Sequence, residues 1–230
     1  MGRPWPAGVG PAPRGGDRVS TYQHPSELER AVEALRRDLL RDDGPQISTV
    51  RNYNFAILPY DPEHEFALRR AIHQLSETLR DAGWNTGTIP LHALLLDRLS
   101  GEGEEFVTAM IDREKRLTES ADPWRGLRSL KERVVTLLEG PDGLAKDVIR
   151  EVERILNERS ENPDRTVIFL GRAGALYPFF RTSALLKHVA GHTKNVPVVL
   201  LYPGTLVGET GLSFMGVLPA DRDYRPRIYR

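Results

Sequence analysis

The chain has 230 residues, 32 basic and 32 acidic side chains, a net charge of zero and no cysteine. Its length is sufficient for one α/β domain with a sizeable core. The balanced charge excludes a strong overall field for nucleic acid or anionic membranes, and the absence of cysteine excludes disulfides, thiolate metal sites and a cysteine nucleophile.

The N-terminal residues 1–20 are rich in proline and glycine and show no hydrophobic periodicity. Such a composition buries too little apolar surface to offset the entropy of ordering, so it predicts a disordered tail before a single domain at 21–230. The sequence has no apolar run of about 18 residues and no apolar signal core. We therefore expect a cytoplasmic protein without membrane spans.

The first half of the domain has a strand, helix, strand pattern. Ser26 and Glu29 form a capping-box signature at the start of the first helix, and Asp61 with Pro62 begins the second. The predicted elements are a helix over 26–40, a strand over 53–59, a helix over 61–83, a strand over 84–89 and a helix from 90. This βαβ order favours parallel strands.

The second half begins with a helical pattern over 102–160, which predicts an insertion of three helices. Residues 166–170 and 197–202 are near-continuous apolar runs, typical of strands buried on both faces of a parallel sheet. Residues 214–218 and 227–229 predict one or two edge strands. The predicted fold is three-layer α/β, with a mainly parallel sheet of four or five strands and a helical insertion.

Two glycine-bearing segments follow the buried strands and suggest phosphate loops. At Gly171–Gly174 a structural turn is favoured, because Tyr177 and Pro178 stand where a phosphate loop needs a lysine and a hydroxyl. A nucleotide-binding or phosphotransfer regulator using this loop remains the alternative. Residues 203–210 are one residue too short for a P-loop and place Glu209 at the lysine position, so they predict a plain loop at the sheet edge.

Two polar groupings were considered as metal or hydrolytic sites. His188 and His192 have the spacing of two ligands on a helix, but Gly191 between them favours a helix end with surface histidines. A second group lies after the first strand and is explained by helix capping and first-turn acids: Asp61, Glu63, His64 and Glu65. No catalytic residue, metal site or cofactor is predicted.

The C-terminal residues 221–230 interleave arginine with tyrosine. This composition suits a protein interface, which the neutral charge of the chain favours, or the backbone and bases of nucleic acid. An ordinary charged edge strand is the third interpretation. Any contact with nucleic acid is expected to be local or indirect.

Several ordered segments resemble the BrxB family of bacterial BREX (bacteriophage exclusion) defence systems. They are YNFAILPYDPEHEF, the leucine-rich helix at 91–99, VIFLGRAGALYPFFRTSALL, VPVVLLYPGT and the glycine-bearing loop before a Tyr-Arg end. The resemblance covers about residues 26–230, while residues 1–20, Glu209 and Pro226 depart from the family pattern. It implies a small non-catalytic scaffold or adaptor subunit, accessory to antiviral defence, that docks a PglZ-like protein among other BREX components.

A partner-binding surface is expected at the carboxyl end of the third strand and near the C-terminus. Arginine and large aromatic residues dominate interface hot spots. The candidate residues are Arg172, Tyr177, Phe179, Phe180, Arg181, Arg225 and Arg227. The alternative for Phe179 and Phe180 is that both rings pack the following helix onto the sheet.

Overall fold

The computed structural model describes residues 26–48, 54–120, 122, 124–140, 142–159, 163–180, 182–189, 192–208, 211–221 and 226–230. The predicted tail at 1–20 lies outside these residues, and the single-domain organisation stays a prediction. None of the described helices is long and apolar enough to cross a membrane.

The described residues form seven α-helices and six strands. The helices are α1 (Glu27–Leu39), α2 (Glu65–Asp81), α3 (Leu91–Gly101), α4 (Glu104–Thr118), α5 (Trp124–Leu138), α6 (Leu144–Arg159) and α7 (Thr182–Val189). The strands are β1 (Phe55–Tyr60), β2 (Asn85–Pro90), β3 (Thr166–Gly171), β4 (Val198–Val207), β5 (Gly211–Phe214) and β6 (Arg227–Ile228). Short 3₁₀ turns occur at Pro62–His64, Pro163–Arg165 and Ala173–Leu176.

The sheet has the strand order β2-β3-β4-β1-β6, and these five strands are parallel. The central register places Val198 of β4 between Phe55 of β1 and Ile168 of β3. Strand β5 adds to the far half of β4 in the antiparallel direction. The prediction of a mainly parallel α/β sheet is confirmed, and the strand order places β2 at one edge.

The two faces of the sheet bury separate hydrophobic clusters. Phe55 and Ile57 of β1 point into a cluster formed with α3, α5, α6 and α7. Ala56 and Leu58 alternate with them and point into a cluster formed with α1 and α2. Because side chains alternate along a strand, this burial on both faces explains why the central strands are apolar throughout. The predicted three-layer arrangement is therefore present.

Helix α1 begins where the sequence pattern predicts it. The Ser26 hydroxyl accepts from the Glu29 amide at 3.2 Å, and the Glu29 carboxylate accepts from the Ser26 amide at 2.7 Å. These reciprocal bonds satisfy amide groups that a helix start leaves free. The helix then buries Ala31, Leu35 and Leu39, spaced by four residues, against the sheet.

The predicted insertion at 102–160 contains α4, α5 and α6, but α6 is part of the main layer. Its Val148, Val152 and Ile155 lie in the same cluster as β2 and β3. Gly87 of β2 faces α6 so closely that an added Cβ would lie 3.1 Å from the Ile155 side chain. Helix α6 therefore covers the sheet between β2 and β3, and α4 with α5 forms the part added outside that layer.

Candidate functional site

The loop after β3 has the internal hydrogen bonding of a structural turn. Arg172 adopts a left-handed conformation, with φ of 61°, and the 3₁₀ turn at Ala173–Leu176 follows it. The Ala175 amide donates to the Arg172 carbonyl at 3.2 Å, and the Phe179 and Phe180 amides donate to the Leu176 carbonyl at 2.8 and 2.9 Å. These amides are thus used within the loop, whereas a phosphate loop needs them to converge on an anion.

The predicted partner-binding residues of this loop differ in accessibility. The Arg172 side chain is 42% exposed. Tyr177 and Phe179 are partly buried against the hydrophobic cluster, and Phe180 is only 4% exposed within it. Phe180 therefore helps to pack the loop onto the core, while Arg172 offers a charged group at the surface. Arg181 lies outside the described residues.

Arg172 belongs to a small polar network at the carboxyl ends of β1 and β3. Its guanidinium lies 3.4 Å from the Glu65 carboxylate, which also accepts a hydrogen bond from the Tyr60 hydroxyl. Burial, together with the hydrogen bond to Glu65, raises the pKa of the Tyr60 phenol. The phenol consequently stays protonated at neutral pH and remains the donor to Glu65.

Sequence reasoning missed Tyr60 and the pairing of Glu65 with Arg172. Tyr60 and Arg172 come directly after predicted strands, and Glu65 lies in the first turns of the helix that follows the first of them. Parallel strands bring their carboxyl ends to one edge of a sheet. Of the acids considered above, Asp61 accepts from the Glu63 amide at 2.9 Å and caps the 3₁₀ turn at 62–64, as predicted.

An open groove of about 800 Å³ extends from this network along α2. Its helix side carries Phe66, Arg69, His73 and Arg80, and its sheet side carries Thr86 and Thr88 of β2. Phe66 is 75% exposed, and the Arg69 guanidinium lies 6.0 Å from the centre of its ring. The groove therefore combines an aromatic ring with several cationic side chains.

A second cavity of about 290 Å³ lies on the other side of the Glu65 and Arg172 pair. Gly174 and His92 line it. The His92 Nδ1 atom is buried and has no hydrogen-bond partner in the described structure. Buried polar atoms normally have partners, so this nitrogen is an exception within the described structure.

The prediction of a loop at 203–210 is wrong for its first half, because β4 continues to Val207 and pairs with β5. Pro203 and Gly204 are local turn signals, but the Pro203 carbonyl accepts from the Met215 amide at 2.8 Å within this hairpin. Gly204 is needed there, since an added Cβ would lie 2.1 Å from the Ser213 carbonyl oxygen. Glu209 and Thr210 lie outside the described residues.

Arg227 ties the C-terminal strand β6 to α1. Its guanidinium forms an ion pair with Asp38 at 2.7 Å and lies 4.8 Å from the centre of the Tyr229 ring. The Tyr229 hydroxyl donates to the same carboxylate at 3.0 Å, and burial raises the pKa of this phenol. Arg227 thus has a structural partner, while Arg222 and Arg225 lie outside the described residues.

The histidines considered as ligands do not meet on one helix, since α7 ends at Val189 and His192 follows it. The His192 amide donates to the Val189 carbonyl at 3.0 Å. Within the residues described, no three His, Asp or Glu side chains are grouped closely enough to hold a metal ion.

Comparison with known proteins identifies the family. The family model described as BREX protein BrxB matches residues 88–228, which is more than half of the chain. A curated BREX protein BrxB from Bacillus cereus (strain H3081.97) is 24% identical over 172 residues, covering 74% of this chain and 80% of that protein. No solved structure gives a significant match. The chain belongs to the BrxB family and is a component of BREX antiphage defence.

Proposed function

We propose that the chain is a non-catalytic scaffold or adaptor subunit of a BREX complex and that it docks a PglZ-like partner. Family membership supports a role within the defence system. The observation that carries the adaptor role is the loop after β3. It carries the half-exposed Arg172 and the partly buried rings of Tyr177 and Phe179, on a turn fixed by its own hydrogen bonds.

The physical argument rests on preorganisation. A loop whose amides are already bonded to its own carbonyls loses little conformational entropy when a partner binds. Arginine and aromatic side chains are the types that dominate interface hot spots, because they combine large contact area with directed hydrogen bonds. Within the described structure the Arg172 guanidinium has one ion-pair partner, Glu65 at 3.4 Å, so most of its donors are available to a partner.

Replacing Arg172 and Arg181 together by alanine is expected to weaken pull-down of the PglZ-like protein at least about tenfold, as for a hot-spot truncation. The melting temperature should change little, because the Arg172 side chain is 42% exposed, and Glu65 keeps its hydrogen bond from Tyr60 when the guanidinium is removed. Arg113→Ala on α4 is the control, since this exposed arginine belongs to a different element and donates to the Ser129 hydroxyl at 2.8 Å. Unchanged pull-down by a folded double variant would refute the proposed surface.

A nucleotide-binding regulator is the second candidate, and the cavity lined by Gly174, His92 and Arg172 favours it. Under the adaptor proposal, calorimetry with ATP, GTP and cyclic nucleotides gives no binding heat. Micromolar binding that is lost in both Gly174→Arg and His92→Ala would support the second candidate instead. A melting curve checks that each variant is folded. This matters most for Gly174→Arg, because an added Cβ there would lie about 3.5 Å from Met215 and Pro203.

A further inference from the structure

The groove between α2 and β2 has a local excess of positive charge in a neutral chain. Four arginines line it: Arg69, Arg70, Arg80 and Arg172. Arg80 pairs with Glu77 and Arg172 with Glu65, so the excess positive charge belongs to Arg69 and Arg70. Arg69 and Arg70 are exposed, and neither forms an ion pair with any residue that the structure describes. Their charge is therefore available to an anionic group from outside.

The sheet edge beside this groove is open. Strand β2 pairs with β3 on one side, and no other described strand borders it. Exposed edge strands are usually protected from further pairing by charged residues, a bulge or a covering element. The β2 sequence NTGTIP has no charged residue, and its only such device is Pro90 at the end. This edge is consequently suited to accept an added strand.

Helix α2 runs antiparallel to β2, and its basic residues overlie the open side of the strand. Thr86 and Thr88 face α2, and the Arg80 guanidinium donates to the Thr86 hydroxyl at 3.3 Å. Arg69 and His73 are four residues apart, which is about 6 Å along a helix. Alternate residues of a strand are about 6.6 Å apart on one face. Acidic side chains at alternate positions of an added strand would therefore match the basic side chains of α2.

We propose that this groove binds an extended acidic segment of a partner protein, which adds to the outer edge of β2. Main-chain hydrogen bonds to β2 give the segment its direction and register, as in other cases of strand addition. Carboxylates on its α2 side face the exposed Arg69 and Arg70, which have no ion-pair partner among the described residues. This binding mode goes beyond the adaptor proposal, since it uses Arg69, Arg70 and the edge of β2 and requires no PglZ-like protein; Arg172 is the residue that the two surfaces share.

Two other occupants fit the charges less well. A nucleic-acid backbone needs continuous positive potential, but Glu65 lies within the groove and Glu77 lies 2.5 Å from Arg80. Strand addition also uses the uncharged edge of β2, which a phosphate backbone would leave unused. Residues 1–25 of the chain carry three arginines and one acid, Asp17, so their charge does not complement the groove.

The test uses the full chain and fluorescent peptides of about eight residues, the length that spans the six-residue strand with a margin. An alternating Val-Glu peptide is expected to bind saturably, more weakly at higher salt. The corresponding Val-Lys peptide and a Val-Glu peptide with alternate amides N-methylated should not bind up to about 1 mM. Equal binding of the N-methylated peptide would overturn strand addition, and tighter binding of oligothymidylate would overturn a peptide ligand.

Charge reversal in the double variant Arg69→Glu with Arg70→Glu is expected to lower the affinity for the Val-Glu peptide at least about tenfold. The control is Arg125→Glu with Lys131→Glu, which makes the same change in charge at exposed positions of α5, on the other face of the sheet. It should bind within about twofold of the unaltered chain. If the reversal variant is unfolded, Arg69→Ala with Arg70→Ala replaces it. Unchanged affinity in a folded groove variant, or no binding by the unaltered chain, would overturn the proposal and leave the adaptor proposal standing.

Discussion

Arg98→Ala should lower the free energy of unfolding by about 2 kcal/mol or more, because the nearly buried Asp147 carboxylate then keeps only the exposed Arg150 as its ion-pair partner in the described structure. The Arg98 side chain is 20% exposed and lies 2.7 Å from Asp147, whose side chain is 10% exposed. The same guanidinium donates to the carbonyls of Leu137, Asp142 and Gly143 at 3.2, 2.8 and 2.8 Å. One side chain on α3 thus holds the end of α5 and the start of α6.

Urea unfolding followed by circular dichroism measures this change. The matched control is Arg128→Ala on α5, whose ion pair with Asp122 is 60% and 49% exposed at its two members. The free energy of unfolding of that variant should fall by at most about 1 kcal/mol, because exposed ion pairs contribute little to stability. Removing both partners in Arg98→Met with Asp147→Leu should cost less than the sum of the two single changes. Equal stability of Arg98→Ala and Arg128→Ala would contradict the bridging role of Arg98.

Gly204→Ala is expected to destabilise the hairpin of β4 and β5 by about 3 kcal/mol, at the upper end for an overpacked site. The added Cβ would lie 2.1 Å from the Ser213 carbonyl oxygen and 2.7 Å from the Tyr202 ring. Neither neighbour is free to move, because Ser213 belongs to β5 and Tyr202 is fully buried with its hydroxyl on the Leu212 carbonyl. The two strands would have to separate.

A thermal melt should show this loss as a decrease of about 6 to 12 °C in Tm for a chain of this size. Gly101→Ala is the matched control, since no atom lies within 4 Å of the added Cβ at the end of α3. It should raise the Tm slightly or leave it unchanged, because alanine favours a helix over glycine. If Gly204→Ala has the same Tm as the unaltered protein, the hairpin is packed differently from this account.

Elements with strong local signals could be predicted from the sequence. The capping box of Ser26 and Glu29 marks the start of α1, and the leucine spacing of α2 marks its buried face. The buried strands β3 and β4 also have a local signal, since burial on both faces requires a continuous apolar run. The three-layer fold follows from these elements and from the parallel pairing that a βαβ order favours.

Features that depend on contacts between distant residues could not be predicted in the same way. Pro203 and Gly204 are turn signals, but pairing with β5 keeps both in an extended strand. The network of Tyr60, Glu65 and Arg172 requires the strand order, which places the ends of β1 and β3 on either side of β4. The open edge of β2 likewise follows from the strand order. The groove beside it therefore could not be anticipated from residues 61–90 alone.

Purifying the chain together with a PglZ-like BREX protein tests the adaptor role most directly. Size-exclusion chromatography with light scattering at about 50 μM of each protein gives the mass of any complex they form, since a Kd of a few micromolar then leaves most of each protein bound. The adaptor proposal predicts one peak whose mass is the sum of both proteins in a small whole-number ratio. Separate elution of two folded proteins at their individual masses would contradict it.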